Sequence, residues 1–165
     1  MSEITIRAFE MADWEDVAVL FLAPNCRWGT ARMPYQSRDD IKHKLANPPM
    51  GMRRLVAVID GEQKIVGFIN LQTFSDRRAH VGSIGIFVHD DYQNQGIGSR
   101  LMAAIIDLAE NWLNLKRIEL IVNTDNLGAI HLYEKFGFEK EGTLRKDAFR
   151  DGAYIDAYTM AKVSV

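Results

Sequence analysis

Residues 82–101, reading GSIGIFVHDDYQNQGIGSRL, join an apolar run, a polar turn, two closely spaced glycines and the start of an amphipathic segment. Gly96 and Gly98 have no side chain, so a ligand can come close to the backbone. The N–H groups that open the next helix are unpaired donors at the positive end of its dipole. That combination suits a phosphate or pyrophosphate. Two common glycine loops are excluded by the spacing. A dinucleotide fingerprint needs a third glycine where Leu101 stands, and a P-loop needs Lys followed by Ser or Thr where Ser99 and Arg100 stand. Ile97, Leu101, Met102, Ile105 and Leu108 recur at helical spacing and tie the loop to a buried helix face.

A second constellation follows. Arg117 to Asn123 reads as a strand, and Asp125 to Phe138 as a capped helix stopped by Gly137. Asn126 opens that helix, which as a cap stabilises it by about 1 kcal/mol. Tyr133 stands about two helical turns further on, so both side chains project from one face. Upstream, Gly82 and Gly85 interrupt an apolar strand and signal a bulge or a close backbone approach.

Together the patterns Gln93-x-x-Gly96-x-Gly98 and Asn126-x-x-Ala129-x-x-x-Tyr133-x-x-x-Gly137-Phe138 resemble the two signatures of the GCN5-related N-acetyltransferase (GNAT) family. The likeness covers roughly residues 55 to 160. It implies an acetyl-CoA cosubstrate and no metal. By the same resemblance Ile86, Phe87 and Val88 offer backbone groups to the pantetheine arm. Gln93, Asn94, Gln95, Gly96, Ile97, Gly98 and Ser99 surround the pyrophosphate, with Arg100 either assisting or lying on the surface. Asn126 contacts the CoA arm, and Tyr133 protonates the leaving thiolate. The bland alternative for Tyr133 is packing beside Phe136 and Phe138. The whole-chain pattern is similar to the bacterial branch of the family that acetylates free amino acids.

Acetyl transfer needs a neutral amine. Neutralising a lysine amine at pH 7 costs about 4.6 kcal/mol, whereas an α-amine costs only about 1 kcal/mol, so a weak base or a water chain suffices for the latter. Protein N-terminal acetyltransferases of the ribosomal class in this family carry a catalytic Glu at the position where this chain has Ile121. Glu119, two residues earlier on the same strand face, is one candidate base, with pairing to Lys116 or Arg117 as its alternative. His80 is the other candidate, with a structural hydrogen bond as its alternative. For the acceptor, Arg27 or Arg32 would pair with a carboxylate, and Trp28 or Tyr35 would wall a pocket. Ordinary loop packing would also explain these residues. The expected acceptor is a small-molecule amine, most simply an amino acid. A peptide N-terminus and a noncatalytic acyl-CoA-binding module are the rival readings.

The elements that must hold these residues follow from patterning. Ile4 to Arg7 reads as a strand, and Asp13 caps a helix with Trp14, Val17, Ala18 and Phe21 on one side. Pro24 to Gln36 reads as a loop, and Ser37 with Asp40 caps a short helix ending at Asn47. Leu55 to Asp60 and Ile65 to Thr73 form a hairpin, with Ala79 to Val88 beside it. Lys146 to Arg150 and Tyr154 to Met160 flank Asp151-Gly152, a hairpin turn. The expected fold is α+β, a GNAT-like mixed central sheet of about seven strands with helices on both faces and a splayed strand at the acyl-CoA site. One N-acetyltransferase domain over residues 1–165 accommodates it.

Net charge is −2 with no basic run, so no nucleic-acid partner is expected. The single Cys26 excludes an intramolecular disulfide, and no apolar segment is of membrane-spanning length. Met1-Ser2-Glu3 does not read as a signal peptide, so a cytoplasmic location is expected. A homodimer is left open.

Overall fold

The computed structural model describes residues 3–165, and the Met1 and Ser2 part of the leader reading lies outside them. Strands β1 (Ile4–Ala8), β2 (Met52–Ile59), β3 (Lys64–Thr73), β4 (Val81–Val88), β5 (Arg117–Asn123), β6 (Glu139–Arg150) and β7 (Ala153–Val163) form one sheet in the order β1-β2-β3-β4-β5-β7-β6. All pairs are antiparallel except β4 with β5. The helices are α1 (Trp14–Leu22), α2 (Pro24–Gly29), α3 (Arg38–Ala46), α4 (Ile97–Asp107) and α5 (Leu127–Lys135).

Alternation along the central strands feeds two cores. Val56, Val58 and Phe68 pack with Val17, Leu20, Phe21 and Ile41 of α1 and α3. Ala57, Ile59, Ile69 and Leu71 face the other way, against Leu101, Met102 and Ile105 of α4 and Ile130 of α5. The sheet is thus covered on both faces, as expected. Gly67 allows α4 to lie close, because a Cβ there would stand 2.8 Å from Leu101 Cδ1.

Several expectations need correction. The segment expected as a loop from Pro24 contains α2, with Pro24 in its first turn, where a missing N–H costs nothing. Thr30 Oγ1 then donates to the Cys26 carbonyl at 2.7 Å. Strand β4 starts at Val81 rather than Ala79 because Asp76–Arg78 make a tight 3-10 turn. Strand β6 starts at Glu139, not Lys146; it is exposed almost throughout and so lacks the alternation that would have revealed it. No bulge occurs at Gly82 or Gly85, since the β3–β4 register is unbroken. Gly82 is instead a close approach, where a Cβ would meet Leu71 and Leu115 at 2.7 and 2.8 Å. Among the described residues, no helix is long and apolar enough to cross a membrane.

Candidate active site

The parallel β4–β5 ladder holds only at Val81, Gly82 and Ser83, against Arg117, Ile118 and Glu119. Beyond Ser83 the strands part, leaving the edge of β4 from Ile84 to Val88 without a ladder to β5. This is the splayed strand the sequence implies, and it opens a cleft of about 790 Å³. Both faces of β4 line the cleft, Ile84, Ile86 and Val88 from one and Gly85 and Phe87 from the other, so it passes through the sheet.

The glycine loop forms one mouth. Asn94 and Gly96 have left-handed backbones, at φ 60 and 82. Gly96 is the N-cap of α4 and supplies no side-chain cap, leaving the first-turn N–H groups without a side-chain partner. A Cβ at Gly96 would meet nothing within 4 Å, so the loop is open above it. A Cβ at Gly98 would instead stand 3.1 Å from Leu132 Cδ2, so this glycine lets α4 and α5 approach each other. Gln93, Asn94, Gly96, Ile97, Gly98 and Ser99 all line the cleft; Gln95 does not. Arg100 turns away and donates to the carbonyl of Ile4.

Helix α5 forms the opposite wall. Asn126 caps it, its Oδ1 accepting from the Ala129 N–H at 3.4 Å, and both Asn126 and Tyr133 line the cleft. Tyr133 is buried, its ring 6.0 Å from that of Phe138, so its packing and cleft-lining positions hold together. Burial pushes its phenol up to about 12. It therefore keeps its proton throughout the neutral range, at the cost of being a weaker acid than a free tyrosine.

Lys135 was not anticipated. Its Nζ donates to Ser99 Oγ at 3.0 Å and it lines the cleft, placing a cation beside the anion cradle. In sequence it is an ordinary lysine in the last turn of a helix. Arg150 was also missed: it pairs with Asp125, donates to the Trp28 carbonyl at 2.9 Å and lies 3.8 Å over the Trp28 ring. This clamp holds α2 over the cleft, where Trp28 contributes to the lining.

The candidate bases are not brought to the cleft. Glu119 Oε1 accepts from Arg78 at 2.7 Å and Oε2 from Arg117 at 2.8 Å, which is its ion-pair alternative. His80 precedes β4, its carbonyl accepting from the N–H groups of Lys116 and Arg117, and neither Glu119 nor His80 lines the cleft. Arg27 and Tyr35 do not line the cleft, and Tyr35 is 99% exposed. Arg32 lines a second, smaller cavity. The cleft does hold Cys26, whose thiol is pushed up to about 12, mainly by burial, and so stays neutral.

The mixed sheet parts over a helix N-terminus, and the family model described as Acetyltransferase (GNAT) family matches residues 12–138. The chain belongs to this family and is an acyl-CoA-dependent N-acetyltransferase. It is 42% identical over 164 residues to an L-amino acid N-acetyltransferase of Escherichia coli (strain K12), covering 99% of each chain. The structure of spermidine N-acetyltransferase from Vibrio cholerae, in complex with CoA and spermine, matches at TM-score 0.86 and 26% identity, covering 98% of this chain and 95% of that one. A phosphinothricin acetyltransferase from Sinorhizobium meliloti, in complex with acetyl-CoA, shares the fold at TM-score 0.85 and 18% identity, covering 99% and 89%.

Proposed function

We propose that this chain is a single N-acetyltransferase domain that transfers the acetyl group of acetyl-CoA to the α-amine of an amino acid. The observation that carries the reading is the cleft itself: it crosses the sheet where β4 and β5 part, with an anion cradle at one mouth and Tyr133 in its wall.

The residues present suit acetyl-CoA. Open space above Gly96, free N–H groups at the start of α4, Ser99 and the Lys135 cation would hold a pyrophosphate. The unladdered edge of β4 at Ile86, Phe87 and Val88 would hold the pantetheine arm by backbone hydrogen bonds, with Asn126 facing it. Acetyl-CoA supplies an already activated thioester when bound. The protein then has to position, exclude water and hold a proton. Tyr133 keeps that proton on its phenol oxygen for the departing thiolate. With Glu119 and His80 outside the cleft, deprotonation falls to the acceptor's own equilibrium or to water, which an α-amine tolerates.

The amino-acid acceptor is supported by the 42% identity to an L-amino acid N-acetyltransferase. A cytoplasmic location accords with a free, buried Cys26. The test is a screen for acetyl-CoA-dependent thiol release with the proteinogenic L-amino acids, polyamines and short peptides. Turnover concentrated on amino acids is expected; activity only on polyamines or peptide N-termini would overturn the acceptor class.

A further inference from the structure

A second cavity of about 130 Å³ lies on the α1 and α3 side of the sheet, lined in part by Phe21, Arg32, Lys44, Arg54, Phe68 and Asn70. Its charges do not balance. Lys44 is paired with Asp40 at 3.2 Å. Arg54 Nη1 donates to the Leu45 carbonyl at 2.6 Å, and its guanidinium lies 4.4 Å over the Phe9 ring. Arg32 Nη1 donates to Gln36 Oε1 at 3.3 Å, its Cζ lies 3.6 Å over Phe21, and its Nε is buried without a partner. Among the described residues neither arginine forms an ion pair. Asp40 attracts Arg32 from beyond Gln36, which bridges the two, but is itself paired with Lys44, so two partly desolvated cations remain without a direct partner, and an incoming anion would offset the cost of burying them. Burial lowers the pKa of both, in keeping with this imbalance.

Residues of the cavity wall neighbour residues of the cleft wall. Across the sheet Arg54 stands opposite Asn70, and Asn70 opposite Gly85, so the three share one face. Gly85 lines the cleft and has no side chain to block the row. Phe87, also in the cleft, packs against Phe21 and Phe68 with ring centroids 4.6 and 6.1 Å away, and Arg32 Cζ lies 5.3 Å from its centroid. At the usual strand spacing Arg54 and Gly85 are about 10 Å apart at Cα.

We infer that this cavity is the acceptor's carboxylate subsite, in which Arg54 and Arg32 bind the carboxylate while Phe21 and Phe68 pack against its aliphatic part. The inference rests on the amino-acid reading above. It assigns carboxylate recognition to Arg32 and to Arg54, a β2 residue outside the acceptor loop, and leaves Arg27 without that role.

The experiment compares kcat/KM for the L-amino acid turned over fastest in the screen with kcat/KM for its carboxamide, in wild type, Arg54→Gln, Arg32→Gln and Arg53→Gln. Arg53 neighbours Arg54 but alternates to the opposite sheet face, so it controls for net charge. The acid-over-amide ratio should fall at least about tenfold in Arg54→Gln and in Arg32→Gln, partly recover in Arg54→Lys, and stay within about twofold in Arg53→Gln. A wild type that prefers the acid, with ratios unchanged in both glutamine variants, would overturn the subsite and leave the function standing. Amines acetylated without any preference for the acid would overturn the subsite too, and no acetylation of any amine would overturn both. Thermal unfolding checks each variant. Should Arg54→Gln not fold, Arg32→Gln decides alone, because the Arg32 side chain bonds Gln36 and lies over two rings without an ion pair among the described residues.

Discussion

Tyr133→Phe deletes one hydroxyl and leaves the ring, which is 6% exposed and tilted at 52° to Phe138. Burial raises the phenol pKa, and among the described residues no hydrogen bond to the hydroxyl contributes. Stability should change by less than about 1 kcal/mol. The kinetic loss is separable from that. General acids contribute about 10² to 10⁴. A phenol pushed up to about 12 is a weaker acid than an alkyl thiol, so complete transfer is uphill and the lower end of that range applies. The expected effect is a fall in kcat of about a hundredfold, or about 2.7 kcal/mol, read by thiol release at saturating substrates. Acetyl-CoA affinity, by calorimetry, should stay within about threefold. The sign of the pH effect follows from the same shift. A group raised to about 12 stays protonated from pH 6 to about 10, so Tyr133 contributes no alkaline loss of kcat there. A variant keeping kcat within about threefold, or one whose loss lies wholly in KM, would refute proton donation by this residue.

Three further outcomes follow. Glu119→Gln and His80→Gln should leave the pH profile of kcat/KM unchanged, following the acceptor amine, while Glu119→Gln lowers stability by about 1 kcal/mol through its lost pairs with Arg78 and Arg117; a vanished basic limb would reinstate either as base. Lys135→Ala should weaken acetyl-CoA binding about tenfold at low salt and less at high salt, and a salt-independent change would argue against a phosphate contact. Gly29→Ala places a Cβ 2.8 Å from Asn126 Nδ2, so it should raise the KM for acetyl-CoA several-fold by displacing that cap; an unchanged KM would mean that α2 yields instead.

Much of the architecture was legible because periodicity reports burial. The β2–β3 hairpin, the amphipathic α4 and the capped α5 follow from apolar runs, helical spacing and turn and cap residues. The cleft's glycine loop and its Asn126 and Tyr133 wall were readable because backbone conformation and helical phase are local properties. What failed was nonlocal or unpatterned. Strand β6 is exposed on nearly every residue and carries no alternation, and α2 is only six residues long. The pairing of Glu119 with Arg78, 41 positions away, depends on sheet registration that no spacing encodes. Lys135 meets Ser99, and Arg150 meets Trp28, only because distant elements converge on one cleft. The row Arg54, Asn70, Gly85 likewise exists only across strands.

Whether the glycine loop is the acetyl-CoA cradle can be tested most directly by calorimetric titration of acetyl-CoA into wild type and Gly96→Ala. Valine at this position would strain a left-handed backbone at φ 82 too severely, whereas alanine costs about 1–2 kcal/mol there and puts its methyl group into the open space above the loop. Wild type should bind with a Kd of about 1 μM to 1 mM, and Gly96→Ala at least about tenfold more weakly with its cooperative unfolding retained. Equal affinity in the two proteins, or no binding to wild type, would contradict the assignment.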